Sequence, residues 1–227
     1  MTVGDTAYWD DFFQQNLIPA VLAHVVTTWE QMPKPGPSDL ENEISVKLYA
    51  GLVKAKDRNA HVFLVRYQDV EVDADLAKET GRKDIMFFPS LQEQDIYLCL
   101  EAKRLNAVIS GVRRSLADEY VKEGMQRFVD GKYARFVRHG AMLAYVLDGN
   151  IERAIRNVQN NIRGRLTELG MDETGGLLPS TVRPHDPRTR ETRHRRAHED
   201  AVFRIHHLFM AGERGDVGTV STAASRN

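Results

Sequence analysis

GRKDIMFFPSLQEQDIYLCLEAKRL, residues 81–105, carries the fold of this chain in two short runs. One opens at Asp84 and the other closes around Lys103, and the polar turn PSLQEQ joins them, which is the pattern of an antiparallel hairpin. In the second run Ile96, Leu98 and Leu100 share one parity while Tyr97, Cys99 and Glu101 share the other, so both faces are largely apolar. Such a strand belongs in the middle of a sheet. Glu101 and Lys103 point to the same face, about 7 Å apart along the strand. Two ionisable groups at the end of a buried strand need partners, because unpaired buried charge is costly. Asp84 is the expected one, since a hairpin turning near residues 90–94 lays the start of the first run beside the end of the second. Asp95, on the same strand as Glu101, would lie about 20 Å away.

Upstream, Ser38 and Glu41 have the S-x-x-E spacing of a capping box, and Leu40, Ile44, Leu48 and Leu52 follow at helical spacing to about Lys56. Before that helix, PKPGP at residues 33–37 reads as a rigid connector. The apolar pattern from Asp5 to Gln31 predicts a helix that Pro19 kinks or splits. The run from His61 to Val72 reads as a strand, with an acidic stretch through Glu79 after it. Downstream, Leu116, Tyr120, Val121 and Phe128 mark a helix ending near Gly131; Tyr120, Met125, Phe128 and Tyr133 read as core. Gln126 and Tyr133 are given no role. GAMLAYVLDG, residues 140–149, fits a buried strand or a short helix, as does AVFRIHHLFM, residues 201–210. Between them, residues 151–169 predict a helix capped by Gly170, and residues 171–200 a long polar loop. The tail, residues 213–227, has a disordered composition.

With 227 residues and 42% hydrophobic composition, the chain can bury one substantial α/β core, expected over residues 1–212. Lys plus Arg number 31 against 32 Asp plus Glu, so a net charge of −1 excludes general attraction to nucleic acid or anionic membranes. Any phosphate-binding surface must be local. The Arg-rich segment from Arg183 to Arg196 is the candidate, expected to be mobile alone and to bind nucleic acid through Arg193, Arg195 and Arg196. Cys99 is the single cysteine, which excludes an internal disulfide and argues against a Cys-rich zinc site. No stretch approaches the roughly 18 apolar residues of a membrane span, and the first residues lack a basic signal start. A soluble, cytoplasmic protein is the expectation. His198, His206 and His207 could suggest a metal, but adjacent histidines on a strand point to opposite faces.

Hydrolysing a phosphodiester needs a hard cation, oxygen ligands to hold it and a group to position the attacking water. Asp84, sixteen intervening residues and Glu101-Ala102-Lys103 offer that set, and they resemble the D-x(n)-(D/E)-x-K signature of the PD-(D/E)XK nuclease superfamily. Lys83 replaces the usual proline. The resemblance implies a restriction-endonuclease-like core, a mixed β-sheet flanked by helices, over about residues 38–131, with a helix, a three-stranded meander and a second helix. Residues 1–37 would add an N-terminal helix and connector. It implies Mg²⁺ (or Mn²⁺) held by Asp84, Glu101 and the Ala102 carbonyl, with Lys103 orienting or activating the water. DNA would be the substrate, and a homodimer or a protein of a restriction, antiviral-defence or repair complex the further partner. Many members also carry a glutamate on the first core helix, for which Glu41 and Glu43 qualify. Glu41 falls inside the apolar arc and Glu43 beside Lys47 and Lys54, so Glu41 is preferred; its competing role is to cap the helix at Ser38. Two other readings stand beside this one: a catalytically silent module of the same fold that binds nucleic acid or a partner protein, and an ordinary solvated Glu-x-Lys pair.

Overall fold

The run with two apolar faces lies third from one edge of a seven-stranded mixed sheet. The computed structural model describes residues 17–59, 63–73, 78–89, 97–135, 137–197 and 201–213. Helices α1 (Ile18–Gln31) and α2 (Glu41–Asn59) come first, followed by β1 (Phe63–Asp73), β2 (Lys78–Pro89) and β3 (Leu98–Leu105). A small hairpin, β4 (Ala107–Ile109) and β5 (Val112–Arg114), leads into a composite helix α3 at residues 117–129. That helix is α-helical at both ends and a π-turn over Tyr120–Met125. Then come β6 (His139–Val146), α4 (Ile151–Arg163), β7 (Leu178–Pro179), β8 (Thr189–Arg195) and β9 (Val202–Ala211). The sheet order is β1-β2-β3-β6-β9-β8-β7. β1, β2 and β3 form an antiparallel meander, β3, β6 and β9 run parallel, and β8 and β7 return antiparallel.

Helices cover both faces, which is why the central strands read as continuous apolar runs. On one face α1 and α2 bring Leu22, Val25, Leu48 and Leu52 against Phe87, Leu98, Leu100 and Leu143. On the other, α3 and α4 bring Val121, Phe128, Val158 and Ile162 against Met86, Cys99, Met142 and Phe203. All eight residues of β6 are buried, so the segment that periodicity left open between strand and helix is the strand at the sheet's centre. No helix among the described residues is long and apolar enough to cross a membrane.

Several boundaries differ from expectation for local reasons. α2 starts at Glu41 rather than Ser38: Asp39 Oδ2 accepts the Gly36 amide, and both Glu41 oxygens are spent on β3. Pro19 sits in the first turn of α1, where its missing amide costs nothing; residues 5–16 of the expected helix lie outside the described residues. α4 ends at Arg163 rather than at Leu169, and turns carry the chain on to Gly170. There φ is +59°, and an added Cβ would fall 2.1 Å from the Arg195 carbonyl oxygen. His198 and residues 214–227 also lie outside the described residues.

The largest correction concerns residues 171–200. They hold β7 and β8 rather than one loop, and β8 pairs with β9 from Thr189↔Leu208 to Arg195↔Val202. Apolar alternation could not reveal β8, because its buried side chains are Thr189, Glu191, Thr192 and His194. Three of them satisfy one another or their neighbours: Thr192 Oγ1 lies 2.7 Å from His194 Nε2 and 2.9 Å from His207 Nε2, and Glu191 accepts from Thr181, Arg193 and Arg204. Arg196 is buried too, contrary to the expectation that it faces phosphate. Its guanidinium donates to the carbonyls of Phe128, Tyr133, Ala134 and Val137 and stacks 3.5 Å from the Phe203 ring. It ties the end of β8 to the link between α3 and β6. Arg196→Met keeps an apolar stem but strands those acceptors, so urea unfolding should show a loss of about 3 kcal/mol. A loss under about 0.5 kcal/mol, the level of an ordinary surface change, would refute that structural role.

Candidate active site

Among the described residues three pairs join β2 to β3: Ile85↔Leu100, Met86↔Cys99 and Phe87↔Leu98. One step further the ladder would set Asp84 opposite Glu101, but the strands part and Asp84 Oδ2 accepts the Ala102 amide at 2.8 Å. A side chain thus replaces the carbonyl that would have continued the ladder. Asp84 is thereby held at the mouth of the gap.

Glu101 is almost fully buried, at 2% exposure, on the face covered by α3. Its Oε1 accepts Lys103 Nζ at 2.8 Å and Arg127 Nη1 at 3.4 Å. Lys103 Nζ also donates to Glu41 Oε1 at 3.2 Å and to the Ala102 carbonyl at 2.9 Å. Glu41 Oε2 accepts the Arg104 amide at 3.1 Å, joining the start of α2 to β3. Arg127 in turn donates to Tyr133 Oη at 2.8 Å and to Glu123 at 3.3 Å. Gly124, inside the π-turn, lets α3 sit close: an added Cβ would fall 2.3 Å from Met142 Cε and 3.5 Å from Lys103 Cγ.

Three carboxylates face two cations here, and their titration reflects the shortage. Burial pushes Glu101 up to about 7; the Asp84 charge adds to this, and Lys103 and Arg127 only partly offset it. Burial also raises Asp84, against the pull of the Ala102 amide and Lys103. Burial works against the Lys103 ammonium as well, but Glu101, Glu41 and Asp84 together outweigh it and hold the group charged well above its ordinary range. The ammonium gains because it meets several acids. Glu101 loses because it shares its cations and lies deepest.

The donor set is all oxygen, suited to a hard cation. Lys103 Nζ already sits as a cation on Glu101, Glu41 and the Ala102 carbonyl. Among the described residues no group of three or more His, Cys, Asp or Glu side chains gathers to hold a metal. An ion here would therefore rely on few carboxylates, a main-chain oxygen, water and substrate, as Mg²⁺ commonly does.

Asp84, Glu101, Ala102, Lys103 and Glu41 thus come together, whereas Glu43 is exposed on α2. Arg193 and Arg195 do not join them. They stand on β8, separated from β3 by β6 and β9, with Arg193 paired to Glu191 at 3.0 Å and Arg195 exposed. Arg127 was not singled out from sequence, and its guanidinium brings Tyr133 to the site. Comparison with family models, curated proteins and solved structures gave no match. The chemistry of the gap rests on its own side chains.

The raised Glu101 carboxyl has a definite pH signature. The folded protein binds its proton more tightly than the unfolded chain, so the stabilisation is full below about pH 4.5 and is lost as pH rises towards 7. Glu101→Gln removes this slope. Relative to that variant, the wild type should weaken by up to about 3 kcal/mol between pH 4.5 and 7.5 in urea unfolding. Parallel stability curves for the two proteins would contradict the assignment.

Proposed function

We propose that this protein is a Mg²⁺- or Mn²⁺-dependent nuclease that hydrolyses DNA phosphodiester bonds on a restriction-endonuclease-like core. The observation that carries the reading is the gathering of Asp84, Glu101, the Ala102 carbonyl and Lys103 where the β2–β3 ladder opens. The meander followed by α3 has the order that the superfamily resemblance implies. Asp84, Glu101 and the Ala102 carbonyl would hold the ion, with Glu41 at the rim. When bound, the ion supplies Lewis-acid polarisation of the phosphoryl oxygen and eases deprotonation of water.

The residues divide the remaining work. Lys103, held charged by its carboxylates, is a hydrogen-bond donor rather than a proton acceptor. It orients the attacking water and stabilises negative charge developing on the phosphoryl group. Arg127 adds positive charge beside Glu101, and Glu41 holds the Lys103 ammonium from the opposite helix. In the net reaction the water oxygen bonds to phosphorus, the P–O ester bond breaks and the leaving oxygen takes a proton. For DNA, Arg114 on the exposed strand β5 follows the site closely in the chain and has no partner among the described residues. It is a better phosphate contact than the buried Arg196.

One observation favours the alternative of a catalytically silent module: the Lys103 ammonium occupies Glu101, Glu41 and the Ala102 carbonyl at once. Incubating the purified protein with circular and linear DNA, in Mg²⁺, Mn²⁺ or EDTA, separates the two. Cleavage should require the metal. Lys103→Ala should lower the cleavage rate at least 100-fold, within the range of a positioned acid–base group, yet keep Mg²⁺-dependent thermal stabilisation. Glu101→Ala should lose both. Absence of cleavage together with absence of Mg²⁺ stabilisation in the wild type would leave the silent module.

A further inference from the structure

Outside the candidate active site, a cavity of about 760 Å³ opens between α4, the glycine turn before β7, and β8. Arg156, Gln159 and Arg163 line it from α4, Gly175 and Gly176 from the turn, and Arg190 from β8. Its charge is uneven. Arg190 Nε is buried with no hydrogen-bond partner, and among the described residues no acid pairs with Arg190 or Arg163. Arg156 reaches only the largely exposed Glu152, at 3.8 Å. Glu173 is the one carboxylate on the lining among the described residues.

The wall facing the arginines is shaped by a close approach. An added Cβ on Gly176 would fall 2.4 Å from Gln159 Nε2, so a larger residue there would displace the Gln159 amide. Gln159 Oε1 accepts the Leu177 amide at 2.7 Å, which fixes the amide group and leaves its NH₂ as a donor without a partner among the described residues. Ile155 and Leu177 add an apolar patch. A buried guanidinium edge without a partner is costly, and several donors converging with one acid among them recognise a multiply charged oxyanion. The volume and apolar patch suit an anion with an organic part, since ligand cavities commonly span about 300–1,000 Å³.

We propose that this cavity binds an organic phosphate of nucleotide size, its phosphates on Arg163 and Arg190 and its base against Ile155 and Leu177. The site is independent of the Asp84–Glu101 gap. The register Glu101↔Met142↔His207↔Arg190 puts Arg190 three strands away, about 14 Å across the sheet.

Titration calorimetry on the full chain in EDTA, with ATP, inorganic triphosphate and adenosine as probes, tests the proposal. ATP should bind, and both Arg190→Gln and the exposed-site variant Arg163→Gln should weaken it at least tenfold. Inorganic triphosphate should bind at least fivefold more weakly than ATP, and adenosine should show no measurable binding. Arg190→Gln should leave any Mg²⁺-dependent DNA cleavage unchanged, so this site and the nuclease reading fail separately. No ATP binding, ATP binding indifferent to both arginines, or triphosphate bound as tightly as ATP would overturn the proposal. Displacement of ATP by a short single-stranded DNA with the same Arg190 dependence would overturn it too, by making the cavity part of a nucleic-acid path.

Discussion

The early end of the β2–β3 ladder governs the chemistry of this fold. When two strands part, a main-chain amide loses its acceptor, and a buried amide must find another. Asp84 supplies it through Oδ2, leaving Oδ1 without a partner among the described residues. The same bond that closes the sheet therefore fixes an acid at the gap, beside Glu101 and Lys103. Had β2 and β3 stayed paired, the Ala102 amide would have met a carbonyl and Asp84 could have turned elsewhere. The acid excess around Lys103 follows from a main-chain requirement as much as from any requirement of chemistry.

The parts legible in the sequence were those set by short-range geometry. Alternation along Tyr97 to Leu105 marks a strand buried on both faces, because β3 and β6 lie under helices on each side. A hairpin turn then brings Asp84 near Glu101 without any knowledge of the rest of the chain. Glu41 could be favoured over Glu43 from helix phase, though not its reach to Lys103, since that depends on how α2 docks on the sheet. β8 was hidden for the opposite reason: Thr189, Glu191, Thr192 and His194 are buried yet polar, and hydropathy reads such residues as loop. The arginines of that region misled in the same way. Composition showed a cationic run, but pairing inside the fold consumes much of it, through Glu191 for Arg193, Asp186 for Arg188 and main-chain carbonyls for Arg196.

The half of the sheet away from the gap is specified by polar contacts. His207 lies between Tyr120 Oη, at 2.8 Å, and Thr192, while His194 reaches the Leu169 carbonyl at 2.7 Å. His139 and His206 stack with Nδ1 and Nε2 2.9 Å apart. Burial pushes His139 down to about 3 and His194 and His206 to about 4, and it holds His207 well below the ordinary imidazole range, so these rings are neutral donors and acceptors near pH 7. As on any strand, His206 and His207 face opposite ways and serve different neighbours. Such pairings fix strand register more tightly than interchangeable apolar contacts do, because a slip would leave several groups unsatisfied at once.

The π-turn over Tyr120–Met125 has a further consequence for Arg127. A π-turn is a helix carrying one residue more than its α-helical geometry accommodates, and everything beyond that surplus residue is rotated about the axis. Had the same residues wound at the α-helical rate of about 100° per residue, the side chains after the turn would stand about 100° from where they are. Arg127 would then leave Glu101 and Tyr133, and Phe128 would leave the core. The surplus residue acts as an angular offset that lets one short helical end seat Phe128 in the core and still present Arg127 to the charged gap.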